Sequence, residues 1–189
     1  MGGIPPISFL LIIIYKQAIK GDYMEKIKVI FLDVDGVLNP KINMQIQRDK
    51  GQPTDSYSIK IPGDKIYRLK KLVKNTNAIL IMSSSWRLGF RYSTMEPSPA
   101  YQNINNQLMK YNMQLSGWTP LHKDRNRGIE ITWWLMNFTK THGYKPKYVI
   151  LDDKIDDMIP IHTGHIVQTT SLLGLQDEHV IIATNILNH

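Results

Sequence analysis

Cysteine is absent from the 189-residue chain. Its absence excludes disulfide scaffolds, thiolate zinc sites and cysteine nucleophiles. It also fits a reducing compartment, and we therefore expect a cytoplasmic protein. Long hydrophobic runs are lacking as well, because the apolar stretch at residues 4–15 is shorter than the ~20 residues of a membrane span. No stable membrane partner is expected.

Acidic residues are in deficit, with 16 Asp and Glu against 23 Lys and Arg. This excess of positive charge favours anionic partners such as nucleic acid, phosphorylated metabolites or membrane surfaces. Segment 41–75 contains nine basic residues against three acids, and segment 87–127 contains six against two. If both segments border one site, that site has a positive rim. The alternative is that the lysines and arginine of segment 65–74 only solvate the outer face of a helix.

The length allows one domain with a sizeable core. Met24 opens the sequence MEKIKVIFLDVDGVLN, which is typical of the start of a domain. We expect residues 24–189 to form a single domain and residues 1–23 to be a dispensable apolar extension. A short membrane anchor is the alternative for that extension.

Strand-like and helix-like stretches alternate along the rest of the chain, which predicts an α/β fold with a parallel sheet covered on both faces. The predicted strands lie at 26–34, 78–83, 113–118, 148–151 and 165–169, and the predicted helices at 64–75, 97–111, 127–138 and 177–187. Parallel sheets of this kind bind ligands at the carboxyl ends of their strands.

Polar residues follow the three strongest predicted strands. Asp33 and Asp35 follow the first, a run of three serines at 83–85 follows the second, and Asp152 and Asp153 follow the third. Neighbouring parallel strands bring these ends together, and carboxylates so close repel unless they are protonated or bind a cation. A hard divalent ion, Mg²⁺ above all, is the expected ligand.

The motif FLDVDGVLN resembles the first motif of the haloacid dehalogenase (HAD) superfamily, an apolar strand followed by D-x-D-G. The later motifs SSSWR, RGIEITWWL and YVILDD occur in the order that this superfamily shows. Together they resemble the small HAD domains associated with RNA-repair proteins, over most of residues 26–187. The resemblance implies a three-layer, Rossmann-like fold and Mg²⁺-dependent phosphomonoester hydrolysis.

The resemblance also implies roles for individual residues. Asp33 is the nucleophile that forms an aspartyl-phosphate, and Asp35 is the general acid and base. Gly36 permits the tight turn after the strand. Ser84 is expected to bind a phosphoryl oxygen, with Ser83 and Ser85 as open alternatives.

The metal is expected to lie on Asp33, the carbonyl of Asp35, Asp152 and Asp153. Arg127 is expected to neutralise the phosphoryl group, with Arg125 and Lys123 as competitors. The second acid of the last motif stays open between Asp156 and Asp157. Arg87 is expected either to bind a substrate phosphate or to pair with an acidic residue.

The insert at residues 40–62 has little apolar periodicity and is too small for a cap domain, so we expect a short flap. The segment 88–99 is a second candidate flap. The resemblance to HAD enzymes, in which a large cap usually admits small substrates, implies that a short flap leaves the site open to a macromolecular end. A nucleic-acid end or a nucleotide is therefore the leading substrate. Small phosphorylated metabolites, or a non-catalytic phosphate-binding role, are the alternatives. His162 is expected in a surface loop, and the pair Trp133–Trp134 is expected to pack a helix.

Overall fold

A computed structural model of the chain describes residues 26–88 and 97–189. The expected extension at 1–23 and most of the second candidate flap lie outside the described residues. The strands are β1 (Lys28–Leu32), β2 (Ile79–Met82), β3 (Leu115–Trp118), β4 (Lys147–Asp152) and β5 (Ile166–Gln168). The helices are α1 (Lys41–Asp49), α2 (Gly63–Thr76), α3 (Pro99–Met109), α4 (Arg127–His142) and α5 (Asp177–Asn188), and a short 3₁₀ turn covers Ser85–Arg87.

The strands form one parallel sheet in the order β3-β2-β1-β4-β5. Side chains alternate across it, so Ile30 and Leu32 face the core formed with α2, α3 and α5. Val29 and Phe31 face the core formed with α4. The three-layer, Rossmann-like architecture predicted from the sequence is therefore confirmed.

The central strands end level with one another. The Leu32 carbonyl accepts a hydrogen bond from the Ser83 amide at 3.0 Å, and the Leu151 carbonyl accepts one from the Asp33 amide at 3.0 Å. This register places the residues after β1, β2 and β4 at a common edge of the sheet. At the opposite edge, Lys28 and Lys147 both donate to Asn188 at the end of α5.

Helix α1 was not predicted, because its pattern of burial is inverted. Its buried residues are Asn43 and Gln47, whereas Ile42 and Ile46 are 46% and 44% exposed. Hydrophobic periodicity detects helices through an apolar inner face, and this helix packs through amide side chains instead. The insert therefore begins with two turns of helix.

The structure decides two further predictions. Trp134 packs edge-on against Phe31 and stacks on Phe138, while Trp133 stays half exposed, so the pair does pack a helix. The surface-loop prediction for His162 is wrong. Its ring is buried, with Nε2 2.8 Å from the Gly128 carbonyl oxygen and Nδ1 3.0 Å from the Tyr148 hydroxyl.

None of the helices in the described ranges, 26–88 and 97–189, has the length and apolar character that a membrane crossing requires.

Candidate active site

Asp33 follows β1 at the shared edge of the sheet. Its side chain is almost fully buried, and its Oδ1 lies 3.3 Å from Nη1 of Arg127. Burial raises the pKa of Asp33, against the opposing effects of Arg127 and of a hydrogen bond from Ser84. Burial therefore outweighs the positive charge of Arg127, and the ionised form of Asp33 is disfavoured when no cation is bound.

Asp152 ends β4, beside Asp33, and is completely buried. Its Oδ2 accepts a hydrogen bond from Arg127 at 2.6 Å, and its Oδ1 accepts one from the Lys154 amide at 2.9 Å. Burial, reinforced by the charge of Asp33, raises the pKa of Asp152 to about 8. Two carboxylates compete here for a single guanidinium.

Asp153 completes a cluster that fits a divalent cation. One carboxylate oxygen from each of Asp33, Asp152 and Asp153 lies within 4.8 Å of the others. Oxygen ligands at this spacing suit a hard cation, which would favour the ionised forms that burial now disfavours. The raised pKa values of Asp33 and Asp152 are what we expect of carboxylates that are close together and buried without a bound cation.

Arg127 is the first residue of α4. The loop before α4 and the loop after β4 both position it. The Asn126 side chain caps the helix, accepting from the Ile129 amide at 2.9 Å. The Arg127 amide donates to Oδ2 of Asp157 at 2.7 Å. Burial opposes the charge of Arg127, but Asp33, Asp152 and Asp157 together raise its pKa. Among the described contacts, Arg127 is the cation at this cluster, and Asp157 is the acid that supports it.

Asp35 is not one of the three clustered carboxylates, and its side chain is exposed. Its Oδ1 accepts a hydrogen bond from Nδ2 of Asn39 at 2.8 Å. Its Oδ2 accepts one from Nε1 of Trp86 at 2.7 Å. The site therefore separates a buried carboxylate beside Arg127 from an exposed carboxylate held by two neutral donors.

A family model described as "HAD domain in Swiss Army Knife RNA repair proteins" matches residues 29–180. The chain belongs to this HAD family. The matched range includes Asp33, Asp35, Arg127 and the acidic pair after β4. Membership indicates hydrolase chemistry of the phosphatase type and a divalent metal. A comparison with curated proteins and one with solved structures each found no match.

Gly36 of the HAD domain follows Asp35 in the chain and packs against the side chain of Asp153. Its φ is +74°, a conformation that favours glycine, and a Cβ there would collide with the side chain of Asp153. Its carbonyl accepts from Thr169 at 2.6 Å. The turn after β1 thus packs directly against a carboxylate of the cluster.

Replacing Gly36 by Ala is expected to displace Asp153 and to weaken metal binding with little change in overall fold. The expected result is a rise of tenfold or more in the Mg²⁺ concentration that gives half-maximal phosphate release, since ligand displacement commonly costs about 10–100-fold in affinity or activity. A metal titration measures it. Gly51→Ala is the matched control, because Gly51 also has a positive φ of 63° but has no atom close to the added Cβ. Equal metal requirements for the two variants would contradict the prediction.

The three serines after β2 occupy different environments. The Ser84 hydroxyl hydrogen-bonds Asp33, which puts it beside the carboxylate predicted to be the nucleophile. The Ser83 hydroxyl is fully buried and has no hydrogen-bond partner among the described residues. Ser85 is exposed and lines the cavity at the site. The choice of Ser84 for the phosphoryl group stays a prediction.

Arg87 pairs with an acidic residue, as one of its two expected roles required. Its guanidinium bonds Glu130 and also donates to the carbonyls of Ser83 and Ser84 at 2.7 Å and of Thr119 at 3.1 Å. Both charged side chains of the pair are at most 3% exposed. Arg87 also borders the cavity, and its contact with a substrate phosphate stays a prediction.

A cavity of about 340 Å³ opens over Asp33 and Asp35. Three exposed cations, Lys41, Arg125 and Lys154, lie at its wall, and none of them has an ion-pair partner among residues 26–88 and 97–189. The lysines of α2 do not line it, and Lys71 pairs with Asp177. The positive rim is therefore smaller than the charged segments suggested. The lysines of α2 lie outside it, and one of them, Lys65, is buried in an ion pair with Asp64.

Several site residues were not singled out from the sequence. Asn39 is a neutral residue that bonds Asp35, and Glu130 pairs with Arg87 from 43 positions away. Their roles depend on contacts that form only in the folded chain. Lys41 and Lys154 could have been identified, since each is close in sequence to a strand end that carries predicted site residues. Proximity to a strand end is the signal that finds such rim residues.

Proposed function

We propose that this HAD domain is a Mg²⁺-dependent phosphomonoester hydrolase that acts through an aspartyl-phosphate on Asp33. The observation that supports it best is the separation of carboxylates. Both carboxylates line the cavity, but Asp33 is buried beside Arg127 and two further acids, whereas Asp35 is exposed and accepts hydrogen bonds from two neutral donors. Covalent catalysis followed by proton transfer requires two carboxylates with different roles.

In the first step, a carboxylate oxygen of Asp33 forms a bond to phosphorus and the bond from phosphorus to the leaving oxygen breaks. Asp35 transfers its proton to that leaving oxygen. Arg127 and the Ser84 hydroxyl stabilise the charge on the transferred phosphoryl oxygens. The products of this step are the alcohol and the phosphorylated Asp33.

In the second step, Asp35 accepts a proton from a water molecule as that water attacks phosphorus. The bond between phosphorus and Asp33 breaks, inorganic phosphate leaves, and Asp35 is again protonated. The residues that would hold Mg²⁺ are Asp33, Asp152 and Asp153 with the carbonyl of Asp35, and the ion would neutralise charge on the phosphoryl oxygens and on this acidic cluster.

The substrate class in this proposal is a nucleic-acid end or a nucleotide. The RNA-repair description of the family and the unpaired cations at the cavity support it. Phosphorylated metabolites are the second candidate, since a cavity of about 340 Å³ also accommodates a small ligand. The cytoplasmic location and the dispensability of residues 1–23 stay predictions.

The experiment that tests the activity is a phosphate-release screen in Mg²⁺ and in EDTA. It compares a phosphorylated oligonucleotide, a nucleoside monophosphate and a sugar phosphate. Mg²⁺-dependent release from the first two is the expected result. Phosphate binding without release from any substrate would instead indicate a non-catalytic binding module.

Salt dependence is expected to separate the two substrate classes. Each phosphate contact to single-stranded nucleic acid contributes a slope of about −0.7 to log affinity against log salt. If Lys41, Arg125 and Lys154 each contact a backbone phosphate, the slope for an oligonucleotide exceeds that for a mononucleotide by about 2 in magnitude. A KM series against salt measures both slopes.

The matched variants remove three charges each. Replacing Lys41, Arg125 and Lys154 together by Gln is expected to flatten the oligonucleotide slope. The same change at Lys70, Lys71 and Lys74 on α2 is expected to leave it unaltered, since these lysines lie away from the cavity. Equal slopes for the oligonucleotide and the mononucleotide in the unmodified protein would favour a metabolite phosphatase.

A further inference from the structure

The exposed carboxylate of Asp35 is held more tightly than its exposure would suggest. One donor contacts each of its oxygens, Asn39 at 2.8 Å and Trp86 at 2.7 Å. A single hydrogen bond leaves a carboxylate free to rotate, but one donor on each oxygen fixes both its position and its plane. Such restraint costs side-chain entropy, and at a residue proposed to transfer protons it fixes the geometry of the transfer.

A second amide determines how Asn39 is oriented. Oδ1 of Asn39 accepts a hydrogen bond from Nδ2 of Asn43 at 3.0 Å. Because that oxygen is engaged by Asn43, the NH₂ group of Asn39 is directed to Asp35. Asn43 thus determines which end of the Asn39 amide meets the carboxylate, without contacting the carboxylate itself.

Asn43 is in turn anchored on the far side of the insert. Its Nδ2 also donates to the Lys60 carbonyl at 3.0 Å, and Gln47, one turn later on α1, donates to the same carbonyl at 2.7 Å. The Lys60 amide donates back to Oε1 of Gln47 at 3.2 Å. Asn43 therefore connects the end of the insert to Asn39, whereas the side chain of Gln47 hydrogen-bonds Lys60.

The other donor is fixed by packing. Trp86 is only 8% exposed, and its carbonyl accepts from the Ser98 hydroxyl at 2.5 Å. Its indole therefore presents Nε1 to Asp35 from within the hydrophobic core. The two donors reach Asp35 from separate elements, Asn39 from the turn after β1 and Trp86 from the turn after β2.

We propose that Asn39, Asn43 and Trp86 are positioning residues for Asp35, and that the insert at 40–62 supports proton transfer in addition to flanking the cavity. A helix that served only as a cover would pack as well through apolar residues, since buried amides gain little net stability. The proposal rests on the proposed function, because it takes Asp35 as the general acid. Each oxygen of Asp35 keeps a lone-pair site for the transferred proton.

The proposal predicts a dependence on the leaving group. General acid catalysis is worth about 10²–10⁴-fold when the leaving oxygen needs a proton. A nucleoside leaving from its monophosphate needs that proton, whereas p-nitrophenolate, a weak base, leaves readily without it. A misplaced Asp35 therefore slows hydrolysis of the nucleoside monophosphate much more than hydrolysis of p-nitrophenyl phosphate.

The test variant is Asn43→Asp, which keeps the shape but removes the donor to Asn39. The new carboxylate accepts hydrogen bonds only, so the Asn39 amide is expected to turn its NH₂ group to position 43 and its oxygen to Asp35. We expect kcat/KM to fall at least tenfold more for the nucleoside monophosphate than for p-nitrophenyl phosphate. Asp35→Asn is the reference for the full leaving-group effect.

Gln47→Glu is the matched control. It makes the same amide-to-carboxylate change one turn along α1, on the same Lys60 carbonyl, but without a contact to Asn39. The ratio of kcat/KM values for the two substrates is expected to stay within about threefold of that of the unmodified protein, far below the effect of a lost general acid. A loss at Asn43→Asp that is equal for both substrates, or absent, would overturn the proposal.

A second variant tests the proposal if Asn43→Asp does not fold, as thermal melting would reveal. Trp86→Phe keeps an aromatic ring in the core and removes the N–H donor to Asp35. It is expected to change the same ratio in the same direction, and an unchanged ratio would overturn the proposal. Retention of activity by Asp33→Asn would instead refute the proposed function, so the two failures are distinguishable.

Discussion

Replacement of Asp33 by Asn is expected to abolish turnover while the fold is retained. An amide is a poor nucleophile toward phosphorus. Loss of the negative charge also weakens the binding of a cation by the cluster that Asp33 forms with Asp152 and Asp153. Removal of a covalent nucleophile commonly costs several orders of magnitude, and a decrease of at least ~10³-fold in kcat is expected. Phosphate release under saturating Mg²⁺ measures it.

Asp49→Asn is the matched control, because Asp49 is an exposed acid at the end of α1. Full activity of this variant excludes a general effect of lost negative charge. Circular dichroism of both variants checks that the fold is retained. A folded Asp33→Asn protein that releases phosphate at a near-native rate would refute the aspartyl-phosphate mechanism.

Removal of Glu130 is expected to cause the largest loss of stability. Glu130 pairs with Arg87 where both are buried, and it also accepts from the His122 amide at 2.9 Å. Glu130→Ala leaves the guanidinium of Arg87 buried without a counter-charge. Breaking a buried ion pair in this way typically costs about 3–5 kcal/mol of the free energy of unfolding. Urea denaturation measures that free energy.

Two further variants identify the cause of the loss. Lys71→Ala removes a surface pair with Asp177, whose side chains are 49% and 59% exposed, and surface pairs contribute only about 0–1 kcal/mol. The double variant Arg87→Met with Glu130→Leu removes both buried charges and is expected to recover part of the stability. A loss of less than ~1 kcal/mol for Glu130→Ala would mean that water or another residue compensates the charge of Arg87.

The sheet and most helices could be predicted because their burial follows apolar periodicity. The strand that begins at Lys28 and the helix that begins at Arg127 were both located this way, within a few residues at each end. The register that brings Asp33 beside Asp152 follows from parallel strand order, so the core of the site was also predictable. These features depend on local sequence and on general rules of topology.

What could not be predicted depends on polar contacts between distant residues. Arg87 and Glu130 are 43 positions apart, and nothing in either local sequence indicates that they pair. Helix α1 is stabilised through the amides of Asn43 and Gln47, which periodicity reads as solvent-facing. The sequence around His162 offers no third metal ligand and therefore favoured a surface loop, whereas hydrogen bonds to distant residues compensate the burial of its ring.

The contacts from Lys28 and Lys147 to Asn188 have a practical consequence. They show that the start of β1 and the end of α5 meet at one edge of the sheet, while the acidic cluster lies beyond the other edge. An affinity tag, a surface tether or a fused fluorescent domain attached near the end of α5 would therefore sit on the far side of the sheet from the cavity. Protein immobilised in this way presents the acidic cluster and the cavity to solution, which suits binding measurements at a surface.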